Sequence, residues 1–379
     1  MYQPRLFLVV MDGWGYSENR RGNAILQAQK PVFDKLWQFY PHTLIEASGE
    51  TAGLTWGAIG GSEVGHFCMG SGRIIYHDLL KIAKSINSGD FFRSPVILGA
   101  LNHAKKYHSN LHLVGLTSAG GVHSHIDHLY ALLELLHRRH FHGQSFIHMF
   151  TDGRDVPIKS AELYCQKVTQ RINSLHLKTQ FASVIGRYYA MDRDSHWERT
   201  FQAYNCLVLG RGNKAHSAQE AILEAYQQDQ TDEFISPTVI IESPEKRQFL
   251  SKILTQEPNQ VPGPVGLIKD NDAVIFFNFR SERMKQLMET FLFPQTNFPD
   301  KKMLKNVYMA TMVEYDASLP VYAIIPTEKI QNPLAKILSD NNLRQLHIAE
   351  TEKYAHVTYF FDGSNPVPYL NEEWVAIPS

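Results

Sequence analysis

Short, largely apolar runs alternate with stretches of helical spacing along most of this chain. Residues 6–11, 111–116, 145–150, 181–185 and 273–279 are such runs. Helical spacing occupies 23–40, 78–86, 129–137, 160–172, 197–207 and 282–291. Residues 6–11 are apolar throughout rather than at every second residue, which predicts a strand buried on both faces, as in a parallel sheet. Strands alternating with helices predict an α/β architecture. Residues 43–47, 306–313, 343–349 and 357–361 read as further strands. The polar, proline-containing segment 227–264 reads as a long excursion with little regular structure.

A length of 379 residues exceeds one ordinary core and predicts two domains. With 37 basic and 38 acidic residues the net charge is −1, which gives no bulk attraction for nucleic acid. Anion recognition then needs a local concentration of Arg and Lys. Cys68, Cys165 and Cys206 are far apart and form no C-x-x-C, as expected of packing residues in a reducing cytoplasm. The polar residues 1–5 lead straight into a strand pattern, so no signal peptide is expected. No apolar run approaches the ~18 residues of a membrane span.

The motif Gly60-Gly61-Ser62-Glu63-Val64-Gly65-His66 sets one serine among three glycines, a carboxylate and a histidine. Glycine permits a tight turn and close approach of a ligand. A serine presented there becomes a nucleophile when a base or metal lowers the cost of ionising its hydroxyl. No G-x-S-x-G elbow is present, so acyl transfer lacks its signature. Asp12, at a predicted strand end beside Gly13, suits a hard divalent cation or a simple Asp-Gly turn. The run Gly120-Gly121-Val122-His123-Ser124-His125-Ile126-Asp127-His128 is by spacing a metal cluster, a phosphate-binding imidazole pair, or surface histidines in a chain with 18 of them.

Three predicted strand ends deliver arginine. They are Asp152-Gly153-Arg154-Asp155, the stretch from Gly186-Arg187 to Arg193-Asp194, and Asn278-Phe279-Arg280-Ser281-Glu282-Arg283. Parallel strands converge at one edge. Arg154, Arg187, Arg193, Arg280 and Arg283 would there make a cationic pocket in a neutral protein, suited to a small, multiply charged anion such as a phosphorylated acid. Asp155 can accept from a hydroxyl. In Glu350-Thr351-Glu352-Lys353-Tyr354-Ala355-His356, between two predicted strands, Lys353 is a phosphate contact or part of a charged hairpin loop.

Together these segments resemble the cofactor-independent (2,3-bisphosphoglycerate-independent) phosphoglycerate mutases. The resemblance also rests on Met11-Asp12-Gly13-Trp14-Gly15 and Gly22-Asn23-Ala24, and runs in order from the first strand nearly to the last residue. It implies an alkaline-phosphatase-like α/β domain with an inserted α/β transferase domain. The boundaries expected are 1–76 for the first part of the phosphatase domain, 77–306 for the insert, and 307–379 for the phosphatase domain resumed. The implied reaction interconverts 3-phosphoglycerate and 2-phosphoglycerate through a phosphoserine at Ser62, in glycolysis and gluconeogenesis. Two Mn²⁺ ions are implied, with Asp12 and Ser62 as ligands of one. His123, Arg154, Asp155, Arg187, Arg193, Arg280, Arg283 and Lys353 are implied substrate contacts. A cytoplasmic monomer is also implied, binding phosphoglycerate and neither nucleic acid nor membrane.

The sequence departs from the family at several points. Gly61 stands where asparagine is usual, His196 where arginine is usual, and Glu282 where aspartate is usual. Family members also continue beyond the position of Ser379 with a segment carrying the remaining metal ligands. The expectation is therefore an incomplete dimetal site, a phosphatase domain with exposed apolar edge and face, and little mutase activity in the isolated chain. Three accounts stand: a fragment, one half of a split enzyme completed by a C-terminal polypeptide, or a non-catalytic phosphoglycerate-binding remnant. A phosphohydrolase of the same superfamily is the further alternative. The dense arginine set argues against it, because a hydrolase need not retain a dephosphorylated intermediate.

Overall fold

A computed structural model describes residues 6–55, 60–243, 262–294, 298, 301–326 and 330–379. The chain forms two compact units, one of Lys81–Glu328 and one of Met1–Leu80 with Lys329–Ser379. Among the described residues no helix is long and apolar enough to cross a membrane.

The unit Lys81–Glu328 is built on an eight-stranded sheet. In chain order its strands are β1 (Leu111–Leu116), β2 (Ser145–Thr151), β3 (Thr179–Gly186), β4 (Asn213–Ala215), β5 (Thr238–Ile240), β6 (Ala273–Phe276), β7 (Tyr308–Val313) and β8 (Tyr322–Ile325). Their order across the sheet is β4-β5-β3-β2-β1-β6-β7-β8. All neighbours pair parallel except β3 and β5. Every residue of β1 and β2 is buried, the polar His112, Ser145, His148 and Thr151 included, as expected of strands covered on both faces of a parallel sheet. Helices cover the sheet. In Ile126–Arg138 the buried residues Leu129, Leu132, Leu133 and Leu136 recur at helical spacing, each contributing roughly 1.5–3 kcal/mol by its burial. The His125 ring caps that helix by accepting from the Asp127 N–H at 3.2 Å.

Polar groups inside this sheet satisfy one another. Asp272 Oδ2 lies 3.1 Å from His112 Nε2, His112 Nδ1 lies 2.9 Å from His148 Nε2, and His148 Nδ1 lies 2.9 Å from Ser183 Oγ. Burial, reinforced by the neighbouring His112, holds His148 well below the ordinary imidazole range. It is a neutral link in a hydrogen-bonded chain.

The division of the chain differs from the expected resumption of the first domain at 307. β7 pairs parallel with β6, Ala273 opposite Tyr308 and Phe276 opposite Thr311, and β8 continues the same sheet. Residues 307–326 thus belong to the unit with the large sheet. The segment expected to be irregular, 227–264, holds a 3₁₀ turn at Asp232–Phe234 and the edge strand β5. Its residues 244–261 lie outside the described residues.

The other unit contains a parallel two-stranded sheet, β9 (Gln345–Glu350) with β10 (Glu372–Ile377), and the helices Ala24–Gln27, Pro31–Phe39, Ser62–Ser71, Leu334–Asp340 and Thr351–Ala355. Three expected strands are not formed. Residues 6–11 and 43–47 have no ladder partner among the described residues, and a strand exists only through pairing. Their side chains stand exposed, Leu6 at 92% and Ile45 at 86%, in keeping with the apolar exposure expected of this domain. Residues 357–361 form a π-helical turn, His356–Phe360, in place of a strand. The reason is the burial of Thr358, Phe361 and Asp362, whose spacing of three and four is that of a helical face. The expected loop 350–356 is correspondingly the helix Thr351–Ala355.

Candidate active site

Ser62 is the first residue of the helix Ser62–Ser71, whose N-cap Gly61 is extended and offers no side chain to the free N–H groups. That end of the helix carries positive partial charge, which favours negative charge developing on Ser62 Oγ. The loop before the helix is shaped by close backbone approach: a Cβ on Gly60 would lie 2.1 Å from the Ala47 carbonyl oxygen. His66 Nδ1 lies 2.7 Å from the Ser62 carbonyl oxygen. Burial lowers the pKa of His66 and keeps the ring neutral.

Three groups meet at the serine. Its hydroxyl donates to Asp12 Oδ2, and Lys353 Nζ donates to the same carboxylate oxygen. Lys353 Nζ also lies 2.7 Å from Ser62 Oγ. The hydrogen bond from Lys353, then that from Ser62, holds the Asp12 carboxyl below the usual carboxylate range. The arrangement gives the hydroxyl a proton acceptor and places an ammonium beside the oxygen that would become anionic. It is also a partial fit for a hard cation, since Asp12 and Ser62 present two oxygen donors at one point. Among the described residues no group of three His, Cys or carboxylate ligands includes Asp12.

The unit Lys81–Glu328 gathers the other candidates at the carboxyl ends of its parallel strands. After β2, Asp152 accepts from the backbone N–H of Arg154 at 3.2 Å and of Asp155 at 3.1 Å, and from Ser118 Oγ at 2.6 Å. After β3, Arg187 Nη1 bridges Asp152 at 2.7 Å and Asp155 at 2.6 Å. Burial opposes ionisation of Asp152. Ser118, the Asp155 N–H and Arg187 outweigh it, so the carboxyl stays below its ordinary range. After β1, His123 Nε2 faces Asp155 at 3.5 Å. Its carbonyl accepts from the Phe279 N–H at 2.8 Å, which ties the loop after β1 to that after β6.

The cations here repel one another and are only partly neutralised. His123 is held down to about 4 by burial, with the charges of Arg187, Arg280 and Arg283 adding to the effect. Burial and the fields of Arg193, Arg187 and Arg154 lower Arg283. Arg283 Nε and His123 Nδ1 are buried without a hydrogen-bond partner. Glu282 accepts from Arg193 Nη1 at 2.9 Å and pairs with Arg280 Nε at 2.7 Å. Arg154 reaches Glu233 at 3.6 Å. Five arginines, one of them with an unpartnered Nε–H donor, around one strand edge make a site that an anion would complete.

The sequence candidates thus divide between the units. Asp12, Ser62 and Lys353 lie together in one, and His123, Arg154, Asp155, Arg187, Arg193, Arg280 and Arg283 in the other. Sequence reasoning did not single out Asp152, although it opens the motif that supplied Arg154 and Asp155. Its burial at 2% and its role in fixing Arg187 carry no signal in residue type alone. Nor did sequence reasoning foresee Lys353 on Asp12, because the helix that carries it was expected to be a loop.

A family profile described as the N-terminus of BPG-independent PGAM matches residues 82–253 and 245–317. Among curated proteins, 2,3-bisphosphoglycerate-independent phosphoglycerate mutase 1 of Methanosarcina barkeri is 44% identical over 383 aligned residues, covering 99% of this chain and 69% of its own. The 2,3-bisphosphoglycerate-independent phosphoglycerate mutase of Clostridium kluyveri is 46% identical, covering 100% of this chain and 70% of its own. Among solved structures, a phosphoglycerate mutase of Leishmania mexicana at low cobalt concentration superposes with a TM-score of 0.67 at 28% identity. That match covers 93% of this chain and 63% of the solved one.

Proposed function

The chain belongs to the 2,3-bisphosphoglycerate-independent phosphoglycerate mutases, an isomerase family, and on that premise we propose that Ser62 carries the phosphoryl group in transit between the two hydroxyls of glycerate. The observation that carries the reading is the contact of Ser62 Oγ with both Asp12 and Lys353.

Asp12 Oδ2 accepts the hydroxyl hydrogen bond and orients the oxygen for in-line attack. Lys353 Nζ stabilises the charge that appears on Oγ. The Oγ–P bond forms as the ester bond of 3-phosphoglycerate breaks. The serine proton passes by way of Asp12 to the departing 3-oxygen. In the return transfer the Oγ–P bond breaks as the 2-O–P bond forms and the proton of the 2-hydroxyl goes back to Ser62, so the cycle consumes no net proton and no water. His123, Arg154, Asp155, Arg187, Arg193, Arg280 and Arg283 retain phosphoglycerate and, between the two transfers, unattached glycerate. Retention matters because water would otherwise hydrolyse the phosphoserine.

A divalent cation is the proposed cofactor, with Mn²⁺ the ion implied by family resemblance and cobalt the ion named for the Leishmania structure. Asp12 and Ser62 would hold it, and bound there it would supply Lewis-acid stabilisation of the serine oxygen. Two oxygen donors are half of an ordinary site. The same proposal includes a cytoplasmic, monomeric, glycolytic enzyme that binds neither nucleic acid nor membrane.

The test incubates the chain with 3-phosphoglycerate, with and without Mn²⁺, and follows 2-phosphoglycerate, inorganic phosphate and phosphorylation of Ser62. A phosphoryl group on Ser62, absent from Ser62→Ala, supports the reading. Release of inorganic phosphate without isomerisation would replace it with a phosphohydrolase. Tight binding without phosphorylation would leave a phosphoglycerate-binding protein.

A further inference from the structure

A second polar cluster, away from Ser62, lies under the β9–β10 sheet. His347 projects from β9, Glu372 opens β10, and Asp362 follows the π-helical turn. The side chains of Asp362 and Glu372 are wholly buried, and His347 is 11% exposed. His347 Nδ1 lies 3.3 Å from Glu372 Oε1 and 3.7 Å from Asp362 Oδ1. One ligand atom from each residue falls within 4.8 Å of the others. The Val357 carbonyl oxygen joins them, 2.7 Å from His347 Nδ1.

The charges do not balance as they stand. Two carboxylates share one buried space, and among the described residues neither pairs with Lys or Arg. Glu372 is supported, accepting from Trp374 Nε1 at 2.6 Å and from the Tyr369 N–H at 2.7 Å. Asp362 is less so: both of its oxygens are buried without a well-formed hydrogen bond, with the Glu372 carboxyl and the Trp374 N–H as neighbours. A buried, poorly partnered carboxylate is costly. Burial and the neighbouring Glu372 carboxyl push Asp362 upward, so a proton is one way to relieve the cost. A single shared proton still leaves most of the lone pairs on Asp362 unused. A dication answers both carboxylates at once, and it is the occupant the donors favour.

We propose that His347, Asp362 and Glu372, assisted by the Val357 carbonyl, form a structural site for one divalent transition-metal ion that braces β9, β10 and the turn between them. One imidazole with carboxylate and carbonyl oxygens suits Zn²⁺, Co²⁺ or Mn²⁺ better than Ca²⁺ or a soft ion. The His347 separations from Glu372 and Asp362, 3.3 and 3.7 Å, allow a shared ion at about 2.0 to 2.2 Å, with a small inward movement for any pair near the 4.8 Å limit of the cluster. Binding moves the N–H of His347 from Nδ1 to Nε2, which faces Gln345 Oε1 at 3.4 Å. The site lies in the strand that leads into the helix of Lys353, so its role is to hold that helix in place rather than to touch substrate.

The test uses Co²⁺ as a visible probe in the full chain carrying Asp12→Asn, which disables the cation position at Ser62. The expected result is one equivalent of Co²⁺ with visible absorption bands and a raised melting temperature, reversed by a chelator. Asp362→Asn or Glu372→Gln, added to that background, should weaken the binding at least tenfold. The chelator arm reads the site even where a second substitution prevents folding. No stoichiometric Co²⁺ in the Asp12→Asn chain would overturn the proposal. So would binding that survives both Asp362→Asn and Glu372→Gln with unchanged affinity.

Discussion

Lys353 Nζ lies 2.7 Å from Ser62 Oγ, although the two residues stand 291 positions apart in the chain. The same ammonium donates to Asp12, so one cation serves both the proposed nucleophile and its acceptor. Lys353→Met keeps the length of the side chain and removes the charge. Asp12 then loses the largest cause of its lowered pKa, and the serine oxygen loses its electrostatic support. The expected outcome is a fall of about 100- to 1000-fold in the rate of Ser62 phosphorylation, the scale of removing one preorganised donor. Folding should change by no more than about 1 kcal/mol, because both side chains of the pair still reach solvent. Quenched-flow mass analysis of Ser62 checks it, and an unchanged rate would remove Lys353 from the chemistry.

The arginines at the strand edge separate into structural and binding roles. Arg187 is 5% exposed and bridges Asp152 and Asp155. Truncating it leaves Asp152 buried and unpaired, at a cost of about 3–5 kcal/mol. Arg193 pairs with Glu282 where both are more than 40% exposed, at 41% and 44%. Arg193→Ala should change stability by less than about 1 kcal/mol yet weaken phosphoglycerate binding about tenfold or more, the scale of one lost charge-assisted hydrogen bond. Urea denaturation and calorimetric titration of both variants separate the two effects.

The sheet was legible because burial on both faces leaves its strands mostly apolar, as in β1 and β2, where His112 and His148 are polar exceptions that hydrogen-bond one another. The arginine set was legible because each arginine follows such a run closely. Less could be read from the segments whose structure depends on partners. Residues 6–11 have the composition of a strand, but a ladder needs a neighbour. Residues 357–361 are rich in β-branched and aromatic residues, yet the helix begun at Thr351 carries through them and buries Thr358 and Phe361 on one face. Asp152 and the cluster of His347, Asp362 and Glu372 were illegible for another reason. Their significance is burial without a partner, or burial against a particular cation, and only packing reveals it.

Acid should unfold the large-sheet unit early. Burial is the first cause that lowers His123 to about 4, His128 to about 3, and His148 well below its ordinary value. In the unfolded chain each titrates near 6.5. The folded state therefore binds fewer protons at acid pH. The contribution of these neutral histidines to stability is full above about pH 6.5 and is lost as pH falls toward the folded values. The slope approaches about 1.4 kcal/mol per pH unit for each histidine, or about 4 for the three together. Urea midpoints at about pH 7.5, 6 and 5 measure it. His128→Gln should flatten the slope by close to one proton, and an unaltered slope would exclude His128 as a source.

The helix that presents Ser62 also offers a paired test of packing at its two ends. A Cβ on Gly70 would fall 1.8 Å from the Phe361 carbonyl oxygen and 2.6 Å from its carbon. Both are backbone atoms, so neither can rotate away. Gly70→Ala must push the helix off the π-helical turn, at a cost of about 1–3 kcal/mol, and the shift is transmitted along a rigid helix to Ser62. Gly65 lies in the same helix, and a Cβ there meets nothing within 4 Å. Gly65→Ala should therefore gain roughly 0.5–1 kcal/mol from reduced backbone entropy in the unfolded chain. Thermal melts of the two variants should move in opposite directions. Equal destabilisation by both would mean that the Ser62–Ser71 helix tolerates no alanine for reasons other than its contact with Phe361, and the packing account of Gly70 would fall.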